Sequence, residues 1–217
     1  LHGKRAQRSQ HPDATLSPAF TLLPFRDRSP QADQEYFCDG ITEELTDALA
    51  KVENLRVVSR ISAFQFKGRI EDVRKIGSEL NVGALLEGSV RKTEDTLRIT
   101  IHLTSVKDGC HVWSQNYECV VADVFDVQDE ITSAIVDRLT AKLNWNVSHA
   151  PGPRLILSKP TVTKDLVAYD LYLQGLYLWT RRDEQSIRSS IVFFRQAISR
   201  DADYALAHAA LLHETAA

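Results

Sequence analysis

At 217 residues, of which 43% are hydrophobic and 25% charged, the chain is long enough for one ordinary globular domain plus a smaller second unit. The 26 Lys+Arg against 29 Asp+Glu leave a net charge of -3 with no long run of either sign, so composition does not point to a nucleic-acid or anionic-membrane surface. Cys38, Cys110 and Cys119 stand in no C-x-x-C spacing, which removes a legible zinc site or disulfide framework, and no window approaches the roughly 20 apolar residues of a membrane span.

Residues 1–17 are polar, aperiodic and carry Lys4, Arg5 and Arg8, as a flexible tether would. Leu1-His2-Gly3-Lys4-Arg5 is not a signal peptide. The short apolar run 19–25 predicts a buried strand ending at Pro24. Over 34–52, Ile41, Leu45, Ala48, Leu49 and Val52 recur at three and four residues, with Asp39, Glu43 and Glu44 near the start, which predicts a helix. A second strand is expected over 55–59, and Ile70, Val73, Ile76 and Leu80 mark a second, short helix.

The period then changes. Residues 82–91 and 96–105 are β-rich around the polar turn Lys92-Thr93-Glu94-Asp95, and Leu97, Ile99, Ile101 and Leu103 alternate strictly, predicting a hairpin. The Asp108-Gly109 pair predicts a second tight turn leading into a strand at 110–114. Val124, Val127, Ile131, Ile135, Leu139 and Leu143 form an apolar stripe on a helix that should cover the sheet. Pro151, Gly152, Pro153 and Pro160 interrupt both periods across 144–163. Beyond them, 165–180 and 183–199 read as two helices and 203 onward as a third.

The blocks 34–45, Val58-Ser59-Arg60, Phe66-Lys67-Gly68, 86–91 and Trp113-Ser114, with 126–131, together resemble the TolB amino-terminal-like family, which is related to the FlgO domain and occurs in bacterial signalling proteins ahead of tetratricopeptide repeats. The likeness runs from about Ala19 to Leu143. The segment after the break resembles a tetratricopeptide repeat: Gly175 falls where the first helix needs a small residue, Phe194 and Ala197 have the F-x-x-A spacing, and Asp201-Ala202-Asp203-Tyr204 stands at the D-P-x-Y turn, with Ala202 in place of proline. Only about one and a half repeats are present, and a repeat cannot bury its apolar face alone, so it should pack on the first domain or continue in further sequence. The expected organisation is a tether at 1–17, an α/β domain at 18–145, a linker at 146–163 and an incomplete all-α helical hairpin at 164–217. The fold class is α/β, a mixed sheet with an antiparallel hairpin section covered by helices.

The resemblance implies regulation by binding beside a separate output domain: a winged helix, a nucleotide cyclase or a protein kinase. None of their motifs is present, nor G-x-x-x-x-G-K-[ST], G-x-S-x-G or H-E-x-x-H. The expected function is a non-catalytic sensing or protein-interaction module of a bacterial signalling or transcription-regulatory protein; the alternative is the regulatory fragment of a cyclase or kinase whose catalytic domain lies elsewhere. A third reading is a free-standing enzyme using Glu87 and the nearby histidines. Counting across the hairpins places Glu87, His102 and Trp113 side by side, opposite the Leu86, Ile101, Leu103 and Val112 side, with Ser89 and His111 nearby. Such a face is ordinarily solvated, and Trp113 tilts it towards a protein partner. Asp39-Gly40 reads as a helix cap, Lys67-Gly68-Arg69 as a solvated turn, and Cys110 and Cys119 as free thiols. Asn146-Val147-Ser148 is a chance sequon. No cofactor, metal or nucleic acid is expected; a protein partner and further repeats are. With no Met and an end inside a repeat, the chain reads as a soluble fragment, with a membrane tether through upstream sequence left open on either side.

Overall fold

The computed structural model describes residues 19–94, 96–120, 123–143 and 163–215. The tether, most of the linker and the sequon lie outside them. The protein is a mixed α/β fold built on a six-stranded sheet of order β3-β1-β4-β5-β6, with β2 also paired to β4.

β1 (Ala19–Leu22) and β2 (Arg26–Asp27) are one strand broken at Pro24, which has no N–H to give to a ladder. The register moves from Leu22↔Leu86 to Arg26↔Ser89, so four steps on this strand match three on β4 (Ala84–Thr93). One residue is therefore extra at Pro24. The chain crosses over through α1 (Glu35–Ala50) to β3 (Arg56–Val57), parallel to β1 on its far side. It returns through α2 (Arg60–Phe64) and α3 (Val73–Leu80) to β4, parallel to β1 on its near side. Asp72 caps α3 by accepting from Arg74 N at 2.8 Å, and Asn81 closes it in the left-handed conformation. Ile70, placed on the α3 stripe by its spacing, precedes the helix and is 95% exposed.

β5 (Thr96–Ser105) and β6 (His111–Val120) complete the sheet as antiparallel partners, with Gly109 at φ 72° in the turn between them. α4 (Val124–Leu143) lies against β6 and α1. One sheet face, with Leu86, Val90, Leu97, Ile99, Ile101 and Leu103, packs on α1 and α4 through Ile41, Leu45, Leu49, Ile131, Ile135 and Leu139. Among the described residues the other face is covered near β1 and the start of β4, where Leu23, Leu85 and Val82 meet Phe66 and Ile76. Beyond that cover no described residue packs on this face of β4, β5 and β6.

α5 (Leu166–Trp179) and α6 (Glu184–Arg200) form a helical pair, followed by α7 (Ala205–Thr215). Asp165 and Asp183 cap the first two through backbone N–H groups at 2.9 Å. The pair does not stand apart. α5 seats on α1 and contributes Tyr169 and Leu173 to the main core.

Candidate functional site

The open sheet face carries its side chains in register rows. Glu87 stands beside His102, which stands beside Ser114; Ser89 is followed by Thr100 and Asn116; Thr104 faces His111. The His102 and His111 rings are 5.3 Å apart, His111 Nδ1 lies 3.1 Å from Thr104 Oγ1, and Arg26 approaches Glu87 at 4.0 Å. Glu87, Ser89, His102 and His111 thus share one surface. Trp113 does not share it. It pairs with Leu103, on the opposite face, because the register slips between Leu103 and Thr104 and turns Val112 and Trp113 both towards the core. Trp113 is half-buried there, with the Arg138 guanidinium 5.9 Å from its ring. Strict alternation through 110–114 missed the bulge, which no residue type in that stretch marks. Among the described residues no three His, Cys, Asp or Glu side chains converge as a metal would require.

A second cluster lies where the helical pair meets the α/β layers. Asp39 and Gly40, expected at a helix cap, sit inside α1, whose N-terminal boundary residue is Gln34. Both Asp39 carboxylate oxygens accept from Lys67 Nζ at 2.7 Å, and Lys67 also reaches Glu35 Oε1 at 2.8 Å. The Tyr177 hydroxyl of α5 donates to Glu35 Oε2 at 2.9 Å, and Arg181 donates to that hydroxyl at 3.2 Å. Lys67 is therefore not solvated but clamped between two carboxylates, while Arg69 is exposed. Burial opposes the Lys67 charge, yet its bonds to Asp39 and Glu35 prevail and hold its pKa up. Burial raises Asp39 in spite of Lys67, with Glu35 adding to the rise, whereas the Lys67 hydrogen bond lowers Glu35. One ammonium between two carboxylates leaves one of them under-compensated, and that one is the more buried. Gly40 permits the approach of α5: a Cβ there would lie 2.6 Å from Leu173 Cδ2.

Within the helical pair, a Cβ on Gly175 would come within 2.5 Å of the Phe194 ring, so the glycine is what lets α6 close on α5. Phe194 and Ala197 are buried together with Ser186 and Ser190, while Ile187 and Ile191 flank this seam half-buried. Tyr204, of the Asp201–Tyr204 turn, is buried, its ring 5.1 Å from that of Tyr172. Leu212 is 69% exposed. Between α5, α6 and α7 lies an apolar groove of about 200 Å³, lined by Tyr172, Leu176, Trp179, Phe194, Leu206 and Ala210. All three thiols are free, with Cys38 buried and Cys110 exposed.

Fold and surfaces together define an open-faced mixed α/β layer with a docked helical hairpin. No family model matches the chain. Over 200 residues, 92% of its length, the chain is 34% identical to a protein of Rhizobium meliloti (strain 1021) named "Putative adenylate cyclase 3", and it spans 33% of that protein. Among solved structures, TolB from Acinetobacter baumannii is similar over 57% of this chain and 28% of its own, at 13% identity and a TM-score of 0.44. The LpoB C-terminal domain from Salmonella enterica is similar over 50% of this chain and 86% of its own, at 17% identity and a TM-score of 0.38. At these scores the structural similarities carry no functional information.

Proposed function

We propose that the chain is a non-catalytic, protein-binding module of a bacterial signalling or transcription-regulatory protein. The observation that carries this reading is the apolar groove of α5, α6 and α7, lined by the half-buried Tyr172, Leu176, Trp179 and Leu206. Aromatic residues at the edge of a concave apolar surface are favoured anchors for a protein segment, either a further tetratricopeptide-like helix or another chain. A second reading is favoured by the name of the Rhizobium meliloti relative: the chain is the regulatory portion of a nucleotide cyclase whose catalytic part lies elsewhere. Both readings assign binding, not turnover, to these residues. The purified chain should turn over no nucleotide, ester or peptide. Turnover abolished by Glu87→Gln or His102→Ala would overturn the non-catalytic assignment.

A further inference from the structure

Side chains in register on neighbouring strands stand about 5 Å apart on one face of a sheet, so a register row reads directly as a surface row. At the far end of the open face, Arg91 of β4 is in register with Arg98 of β5, and Arg98 with Glu118 of β6. On the other side of β4, the pair Asp27↔Val90 and the 2.7 Å hydrogen bond from Arg28 N to Val90 O set Arg28 beside Arg91. Arg26 reaches Glu87 on the open face, and strand alternation carried one step past the end of β2 would set exposed Arg28 on that side too. Two exposed arginines, Arg91 and Arg98, thus occupy one row on adjacent strands, with a third, exposed Arg28, at the end of β2 beside them. Among the described residues one carboxylate pairs with them, that of Glu118, which binds Arg98. Neither Arg28 nor Arg91 makes an ion pair or side-chain hydrogen bond among the described residues.

Like charges directly opposite one another destabilise a sheet, and here Arg91 stands directly opposite Arg98. Arg91, Arg98 and Glu118 line a concavity of about 290 Å³ together with Thr93 and Thr96, whose hydroxyls can donate to an anion. We propose that this row binds the di- or triphosphate group of a small molecule. The span from Arg28 to Arg98 is about 10 Å, which suits a chain of phosphoryl groups better than one. Planar guanidinium forks match phosphoryl oxygens in pairs. Glu118 holds Arg98 in place until a terminal phosphate displaces it. The site is independent of the helical groove, and its net positive charge is hidden in the chain's overall balance of -3.

The test is calorimetric titration of the full 217-residue chain with inorganic tripolyphosphate at low salt, with thermal melts confirming that each variant folds. One saturable site is expected, with orthophosphate at least about tenfold weaker and with Arg28→Ser and Arg91→Ser each costing about tenfold in affinity. Glu118→Gln should tighten binding by releasing Arg98. Glu87→Gln, which removes a carboxylate of the same face outside the row, should leave it within about twofold. Three results would overturn the proposal: affinity indifferent to Arg91→Ser, an equal loss from Arg188→Ser on α6, or weakening by Glu118→Gln. Binding to phosphatidylglycerol vesicles without binding to tripolyphosphate would also overturn it, in favour of a membrane surface.

Discussion

Lys67 shows how one side chain decides the state of its neighbours. Its ammonium compensates Asp39 and Glu35 together, and through Glu35 and Tyr177 it ties the turn after α2 to α5. Lys67→Met should cost about 2 kcal/mol in a urea melt, the scale of losing hydrogen bonds between charged groups at a partly buried site. Pairing it with Asp39→Leu should recover part of that cost, since the stranded carboxylate goes too; an additive double variant would show that the two groups are not coupled. Neither partner was legible in the sequence, because an ion pair spanning 28 residues leaves no local spacing. Asp-Gly and Lys-Gly each matched a commoner local pattern. Cys38 illustrates the weight of burial. Its thiol is pushed up to about 12, chiefly by desolvation and then by Asp27 and Asp39. A thiol reagent at pH 8 should modify the exposed Cys110 in the native protein and reach Cys38 only on unfolding; native labelling of Cys38 would contradict its burial.

Among the elements, the α5–α6 seam is closely fitted. Phe194 is 1% exposed, fills the notch at Gly175 and lies 6.0 Å from the Tyr172 ring. Phe194→Ala should destabilise the helical pair by about 3–5 kcal/mol, the usual cost of emptying an aromatic site that cannot collapse. A denaturant midpoint shift worth under about 1 kcal/mol would mean that the site is not packed as described. The seam is built from Ser186, Ser190, Phe194 and Ala197, so the isoleucines that dominate the sequence pattern lie at its flanks. The elements themselves were legible wherever periodicity was sustained. The strict alternation of Leu97 to Leu103 became β5, and the stripe from Val124 to Leu143 became α4. Two short elements were not. The one-turn α2 and two-residue β2 are too brief for a period to register, and β6 runs past Ser114 to Val120 through a polar stretch in which Asn116 and Glu118 face outward while Gln115 stands beside Ile101 on the core side.

Across the whole molecule, the α/β layers and the helical pair share apolar contacts. Tyr169 and Leu173 of α5 belong to the same cluster as Ile41, Leu45 and the sheet, and Tyr36 of α1 donates to Asp170 at 2.7 Å. The main core runs across the sequence break at 144–163 through Tyr169 and Leu173, beside a smaller cluster of Ala168, Ala197, Tyr204 and Ala207 within the helices. Urea unfolding followed by far-UV dichroism and by tryptophan emission should therefore give one coincident transition. A chain cut after residue 145 should melt earlier, its α1 face stripped of Tyr169 and Leu173. Two resolved transitions in the intact chain would show that the units are energetically separate.

A protein-binding role requires the groove of α5, α6 and α7 to be occupied in the cell. A photo-crosslinking amino acid placed at Leu206, in the groove, and separately at Arg188, exposed on α6, tests this in bacteria expressing the full parent protein. The expected result is a discrete protein adduct, or an internal crosslink to a further repeat, from position 206, absent from position 188 and lost when Ala210→Glu charges the groove. No adduct at 206, or the same adduct from both positions, would contradict the binding role.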